Sequence, residues 1–267
     1  MVRFESMQDQ MEEDKKIPKI LHQLAPKNKK DWHPIWFECQ KSWLNHFNSF
    51  KYEMWDDERI NKFVKKEYTF LYKVFNECPI HIIKLDMVRY MILYKYGGIY
   101  ADMDIFCYKN FYDKLNKKTI LVQAQTSDEI VQNSLMISSK KNIFFKNILN
   151  KSFNKLKKLK NKISFEDNII KNTAGPYLLS SFIKNKTKDI QILSNKEYNI
   201  SPKDYHEKAI TKHMLTGRWG KQVIEILKKR AKLSDNQISI QEHSLIDYSN
   251  VRDINYQLFN FYKKYYG

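Results

Sequence analysis

Four charged side chains, Asp86, Arg89, Asp102 and Asp104, lie within IHIIKLDMVRYMILYKYGGIYADMDIFC (residues 80–107), one of the most apolar stretches of the chain. Removing an ionised carboxylate or guanidinium from water costs several kcal/mol unless it is paired, hydrogen-bonded or metal-bound. Such a segment is hard to explain as scaffolding alone. Asp86 and Arg89 are three apart, so a helix places them on one face where they can pair. Asp102 and Asp104 are two apart, and an extended strand over residues 99–107 would put both on one face. Two adjacent carboxylates repel, so one must hold a proton or a cation must lie beside them. An oxygen-rich site of this kind suits a hard divalent ion, Mg²⁺ or Mn²⁺, with coordination positions left open for a phosphate.

The elements that must position these groups follow from the pattern around them. Residues 80–96 are apolar on nearly every side and predict a buried helix, ended by Gly97-Gly98. IPKILHQL (17–24) predicts a first strand, and Pro34 onward a helix through Ile35, Trp36, Cys39, Trp43 and Leu44. Residues 50–55 predict a second strand, closed by the acidic turn Asp56-Asp57-Glu58 and followed by a short helix. Further strands are expected at 120–125, 133–138 and 189–194, with a polar turn at Ser127-Asp128-Glu129. Helical spacing returns at 143–163, in the stretch after Ala174-Gly175-Pro176, and at 221–232; residues 198–220 are loop-rich. Alternating strands and helices indicate an α/β domain with a largely parallel sheet, whose strand ends are where open α/β sheets bind ligands.

Asp-x-Asp alone is common. The composite Leu-Asp-x-x-Arg-Tyr, six residues, then Tyr-Gly-Gly-Ile-Tyr-x-Asp-x-Asp is far more specific. It resembles the DXD-type sugar-nucleotide glycosyltransferases, whose members include fungal initiating α-1,6-mannosyltransferases and the glucosyltransferase domains of large clostridial toxins. IPKILHQ (17–23), Trp55-Asp56-Asp57, Asn133-Ser134, Ala174-Gly175-Pro176 and the His213…Trp219 stretch are looser echoes, so the resemblance runs from about residue 17 to 220. It implies a GT-A-type, Rossmann-like fold with helical additions, occupying 17–267 after a polar tail at 1–16, with 221–267 a partly helical extension. It also implies transfer of a hexose from a UDP- or GDP-sugar to a hydroxyl acceptor, with anomeric retention.

By the same resemblance, Asp104 ligates the metal, and Asp102 reaches the ribose and, directly or through water, the metal. Asp86 and Arg89 hold the donor hexose, the arginine near its β-phosphate. His213 is a candidate third metal or pyrophosphate ligand, against a plain surface histidine. Trp219 is a candidate lid over the donor, against a packing residue. His22 and Gln23 either contact the base or ribose or have a strand-end structural role, and Tyr100 packs on the donor or in the core. Asn133, Gly175 and Pro176 are acceptor-side candidates. Where the family carries a tryptophan after the opening strand, in a HQxW-like pattern, this chain has Ala25, so a base-stacking ring is missing there.

Two other classes compete. Phosphotransferases of the haloacid-dehalogenase type also place Asp-x-Asp after an apolar strand, but near the N-terminus and continued by Thr or Val, where this chain has Ile105-Phe106. A basic nucleic-acid-binding module would account for the formal charge of +17 but leaves the buried acids unexplained. That charge, and pI near 9.5, favours anionic partners such as nucleotides, sugar nucleotides or an acidic membrane surface. The basic amphipathic segment around 151–162 is either a solvated face or a contact for anionic lipid. Cys39, Cys78 and Cys107 form no CxxC pair and read as reduced thiols. The N-terminal residues lack a signal peptide's apolar core, and no run of about 18 apolar residues occurs, so a cytoplasmic protein is expected. The acceptor, whether glycan, lipid-linked glycan, protein or small molecule, is not legible.

Overall fold

In a computed structural model, the described residues are 16–78, 80–125, 127–159, 169–183, 187–202 and 204–216. The polar tail, Trp219 and the 221–267 extension lie outside them.

Strand β1 (Ile20–Leu24) leads to helix α1 (Pro34–His46), which Pro34 opens while His33 Nδ1 accepts the Ile35 amide at 3.2 Å. Strand β2 (Lys51–Trp55) leads to α2 (Asp57–Glu67). The expected acidic turn is the helix start, because the Asp56 carboxylate caps α2 by accepting from the Arg59 amide at 2.8 Å. Helices α3 (Thr69–Asn76) and α4 (His81–Tyr96) follow. Helix α4 is buried almost all round, as its composition requires, and stops at Gly97 and Gly98, whose φ angles are 66° and 93°. A Cβ on Gly98 would stand 2.5 Å from the Ile20 carbonyl oxygen, so only glycine lets strand β3 (Gly98–Ala101) settle against β1.

The order in the main sheet is β2-β1-β3-β6-β5-β7, with β5 at Thr119–Ala124, β6 at Ser127–Ser138 and β7 at Ile190–Leu193. Five of its strands run one way and β6 opposes them. The α/β class and the mainly parallel sheet flanked by helices are therefore as the sequence predicted. Helix α4, with α5 (Ile143–Leu159), covers one face through Tyr90, Leu93, Phe145 and Ile148 against Tyr100, Leu121 and Met136. Helix α1 covers the other through Trp43 and Phe47 against Ile99, Ala101, Ile120 and Val122. The three cysteines are buried and free. Among the described residues, no helix is long and apolar enough to cross a membrane.

Two expectations fail locally. Ser127-Asp128-Glu129 is not a turn but the start of β6, which pairs with β5 as a hairpin from Ala124↔Ser127 onward. More consequentially, residues 99–107 are not one strand. Strand β3 ends at Ala101, and the Ile105 amide folds back to the Asp102 carbonyl at 3.1 Å, closing a turn. Strand β4 (Ile105–Cys107) then leaves the main sheet and pairs antiparallel with β8 (Thr211–His213) in a separate ribbon. The cause lies in β6. One step on β5, Leu121 to Val122, matches a step from Met136 to Gln132 on β6, so residues 133–135 form a bulge beside the end of β3. The Asp102 amide bonds the Ser134 carbonyl at 2.8 Å, and no regular ladder continues past it.

Candidate active site

Asp102 and Asp104 therefore stand on a turn and do not share a strand face. The turn still brings them together, and the ribbon adds a third group. Ligand atoms of Asp102, Asp104 and His213 all lie within 4.8 Å of one another. His213 Nε2 is 3.3 Å from Asp104 Oδ1. The other carboxylate oxygen, Oδ2, accepts from the Thr216 amide at 2.9 Å and its hydroxyl at 3.0 Å. The Asp104 carbonyl accepts the Met214 amide at 2.8 Å. Segment 213–216 thus wraps Asp104, with Leu215 in the left-handed region at φ 51° to turn the chain. Burial works against charge on Asp104, but His213 and the Thr216 donors outweigh it and hold the carboxyl well below the usual carboxylate range. His213 responds in kind: burial lowers its pKa, Asp104 and Asp102 raise it more, and it ends above its ordinary value.

The second device joins the first at Asp102. Arg89, only 7% exposed, lies 3.2 Å from Asp86 Oδ1 through Nη1 and 3.1 Å from Asp102 Oδ1 through Nη2. Nη1 also donates to the Asn133 carbonyl at 3.0 Å, and the guanidinium lies over the Tyr100 ring at 5.2 Å. The Tyr100 hydroxyl donates to Asp102 Oδ1. One cation thus bridges a buried acid, Asp86, and a half-buried one, Asp102. Burial pushes Asp86 up to about 7, and the charge of Asp102 adds to this, against Arg89 and the nearby Asn133 side chain. Burial also raises Asp102, opposed mainly by Arg89. The Asp86 carboxyl therefore takes up a proton more readily than Asp104. Arg89 Nε is buried without a hydrogen-bond partner, and the Asn133 side chain lies beside Asp86 and Tyr90. The β6 bulge makes this possible by turning the Asn133 and Ser134 carbonyls toward Arg89 and Asp102.

The other candidates separate from this centre to different degrees. Gln23 touches its rim, with Nε2 3.5 Å from the Asp102 carbonyl and Oε1 accepting from the Tyr52 hydroxyl at 3.0 Å. Gly175 and Pro176 start α6 (Pro176–Ser181), just beyond Ala174, whose carbonyl accepts the Tyr90 hydroxyl at 2.6 Å. They reach the site only through the neighbour of Arg89. His22 is 1% exposed and spends both ring nitrogens on the fold: Nε2 donates to the Gly97 carbonyl at 3.0 Å, and Nδ1 accepts from Trp55 Nε1 at 3.2 Å. That pattern requires the neutral ring.

Burial, the largest cause, depresses the His22 pKa to about 4. The native state thus binds fewer protons than the unfolded chain between about pH 6.5 and pH 4. Stability present above this window is lost as pH falls through it, by about 3 kcal/mol. Asp86, raised to about 7, and Asp102 act in the opposite sense over the same range, so the His22 contribution is read as a difference: urea melts of the wild type and of His22→Gln should lie furthest apart at neutral pH and converge as pH falls toward about 4.

Thr216 was not legible in advance; its only trace was a place three residues after His213 in KHMLTGRWG. Nor was Trp36, whose Nε1 donates to Thr216 Oγ1 at 3.2 Å. The donor set fits a divalent cation. Two carboxylates and an imidazole converge in it.

Known proteins are similar to parts of this chain. Residues 34–122 match the family model for the glycosyltransferase sugar-binding region containing the DXD motif, a span that encloses Asp86, Arg89, Asp102 and Asp104 but not Asn133, Ser134 or segment 213–216. "Inositol phosphoceramide mannosyltransferase 3" of Schizosaccharomyces pombe is 38% identical over 91 residues, 34% of this chain and 25% of that protein. "Initiation-specific alpha-1,6-mannosyltransferase" of Saccharomyces cerevisiae is 32% identical over 74 residues, 26% of this chain and 15% of that one. The solved structure "PaToxG Glycosyltransferase" aligns over 92% of this chain and 93% of its own at 14% identity, with a TM-score of 0.46. The resemblance read from residues 85–104 is thus borne out, over a region that covers a minor part of the fungal relatives.

Proposed function

We propose that this chain, which carries the DXD-containing sugar-binding region of glycosyltransferases, moves a hexose from a UDP- or GDP-sugar to a hydroxyl acceptor in a metal-dependent reaction. The single observation that carries the reading is the continuity of the two devices: Asp86–Arg89–Asp102 on one side and Asp102–Asp104–His213 on the other, sharing Asp102. Asp104, Asp102 and His213 would hold Mn²⁺ or Mg²⁺, which when bound offsets the charge of the departing nucleoside diphosphate. Arg89 supplies fixed positive charge beside it, in a site dry enough for that charge to count. Asp86 and the unspent donor of Arg89 Nε suit vicinal sugar hydroxyls. The printed names of the fungal relatives favour mannose as the hexose. All three acids of the centre are committed to cation or arginine, so none is set as a base toward an acceptor, which favours retention. The GT-A arrangement implied by the motifs agrees with the sheet order and with acids at the end of β3.

The phosphotransferase reading fits less well, because its nucleophilic aspartate would be Asp102, which Arg89 and Tyr100 hold. Slow hydrolysis of a panel of UDP- and GDP-hexoses with Mn²⁺ tests the proposal without an acceptor. One or more donors should turn over, and chelation should stop the reaction. No turnover and no rise in melting temperature with any nucleoside diphosphate plus Mn²⁺, together with a rise on adding RNA, would sink it.

A further inference from the structure

Helices α3 and α5 contain no acidic residue, and α5 carries Lys146, Lys151, Lys155, Lys157 and Lys158 within 17 residues. Here the structure adds something the sequence did not signal. Phe70, on α3, is 70% exposed, the largest exposure among the large hydrophobic side chains described. It does not stand alone. Its ring meets Phe153 of α5 edge-on at 6.2 Å, and Lys157 lies over the Phe153 ring at 4.3 Å. Lys73 is one helical turn from Phe70 on α3, and Lys146, Phe153 and Lys157 share one stripe of α5. The two helices therefore present an aromatic tip set among ammonium groups, with Glu77 at the C-terminal cap of α3 the carboxylate that borders them.

The placement of this patch is not arbitrary. Strand β6 ends at Ser138, opposite Gly98, the start of β3 and the end away from Asp102. Helix α5 sets out from there and runs antiparallel to α4: Phe145 packs near Tyr90 and Leu93, whereas Leu149, Phe153 and Leu156 pack near Ile80, Ile83 and Met87. Because α4 stops just before β3 begins, its first turns lie at the other end of the sheet. The lysine-rich half of α5 thus returns to the end that carries Asp102 and Asp104.

We propose that this face, Phe70 with Lys73, Lys146 and Lys157, docks on an anionic lipid bilayer. Clustered lysines are attracted to the negative surface of such a bilayer, and an exposed aromatic ring gains by entering its interfacial layer. Lysine stems can lie along apolar surface while their heads stay in water, which suits a flat boundary. A nucleic acid is the poorer fit: the patch is a convex pair of helices without arginine, and base or phosphate recognition favours arginine and a groove. The inference does not depend on the donor chemistry.

Co-sedimentation of the full chain with vesicles tests it, comparing phosphatidylcholine alone with phosphatidylcholine plus phosphatidylserine at about 0.1 M salt. Binding is expected only to the anionic vesicles and should weaken as salt rises. Lys157→Glu should weaken it about tenfold or more, and Phe70→Ser about tenfold. Both sites are exposed, so melting temperature and the response to Mn²⁺ with nucleoside diphosphate should be unchanged, which separates failure here from failure of the transferase reading. Equal binding to neutral vesicles, no binding to either, unaltered binding by both variants, or stronger retention on duplex RNA than on anionic vesicles would each overturn the proposal.

Discussion

Asp104→Asn is expected to lower metal-dependent sugar-nucleotide hydrolysis by about 10³-fold, with the residual rate no longer responding to Mn²⁺. The side chain is a place where the turn after β3 and segment 213–216 meet. Oδ1 faces His213, and Oδ2 accepts from both the amide and the hydroxyl of Thr216. Asparagine keeps the shape and one acceptor oxygen, but removes the charge and points an NH₂ at a neighbour that is already a donor. A cation site of two carboxylates and an imidazole becomes one of a single carboxylate, an amide and an imidazole, a weak set for a hard ion. Folding should survive with a modest loss, because Trp36, Thr216 and the Met214 amide still close the segment. Two readings decide the matter: calorimetric titration with Mn²⁺ and UDP, and hydrolysis over a range of Mn²⁺ concentrations. Hydrolysis within a few-fold of wild type, with Mn²⁺ dependence intact, would show that the cation is held elsewhere.

The composite at 85–104 could be read in the sequence because each of its parts obeys a local rule. Asp86 and Arg89 needed only the helix repeat, and the stop at Gly97-Gly98 needed only glycine's freedom at positive φ. The strand break after Ala101 obeys no local rule. Ile105, Phe106 and Cys107 have good strand character, and they do form a strand, but with β8 more than 100 residues away. What ends β3 is a bulge in β6, and the bulge is a property of pairing between strands that composition cannot show. The same limit hid Thr216 and Trp36, which matter only because the ribbon carries residue 213 back to residue 104. His22 illustrates the opposite case. Its position in an opening strand allows either ligand contact or a strand-end structural role, and its two nitrogens tie β1 to β2 and to the end of α4.

Arg89→Met should cost both stability and activity, and the two losses can be separated. The guanidinium is the only counter-charge within ion-pair distance of Asp86 and Asp102 among the described residues. Removing one partner from a buried charge cluster typically costs about 3–5 kcal/mol, since the acids left behind lack compensation. Asp86, already pushed up to about 7, can escape by holding a proton. Asp102 has the Tyr100 hydroxyl, which donates to it. The destabilisation should therefore fall toward the lower end of that range and deepen as pH rises past about 7, where protonating Asp86 ceases to be easy. Donor hydrolysis should drop by about 10²–10³-fold through loss of fixed positive charge next to the leaving diphosphate. Pairing Arg89→Met with Asp86→Asn removes the stranded acid as well, and urea melts should show most of the stability restored. Activity should stay at the level of the single variant. If the double variant regained turnover along with stability, Asp86 and Arg89 would be a self-neutralising structural pair, and the hexose would have to be held by other groups of the β6 bulge.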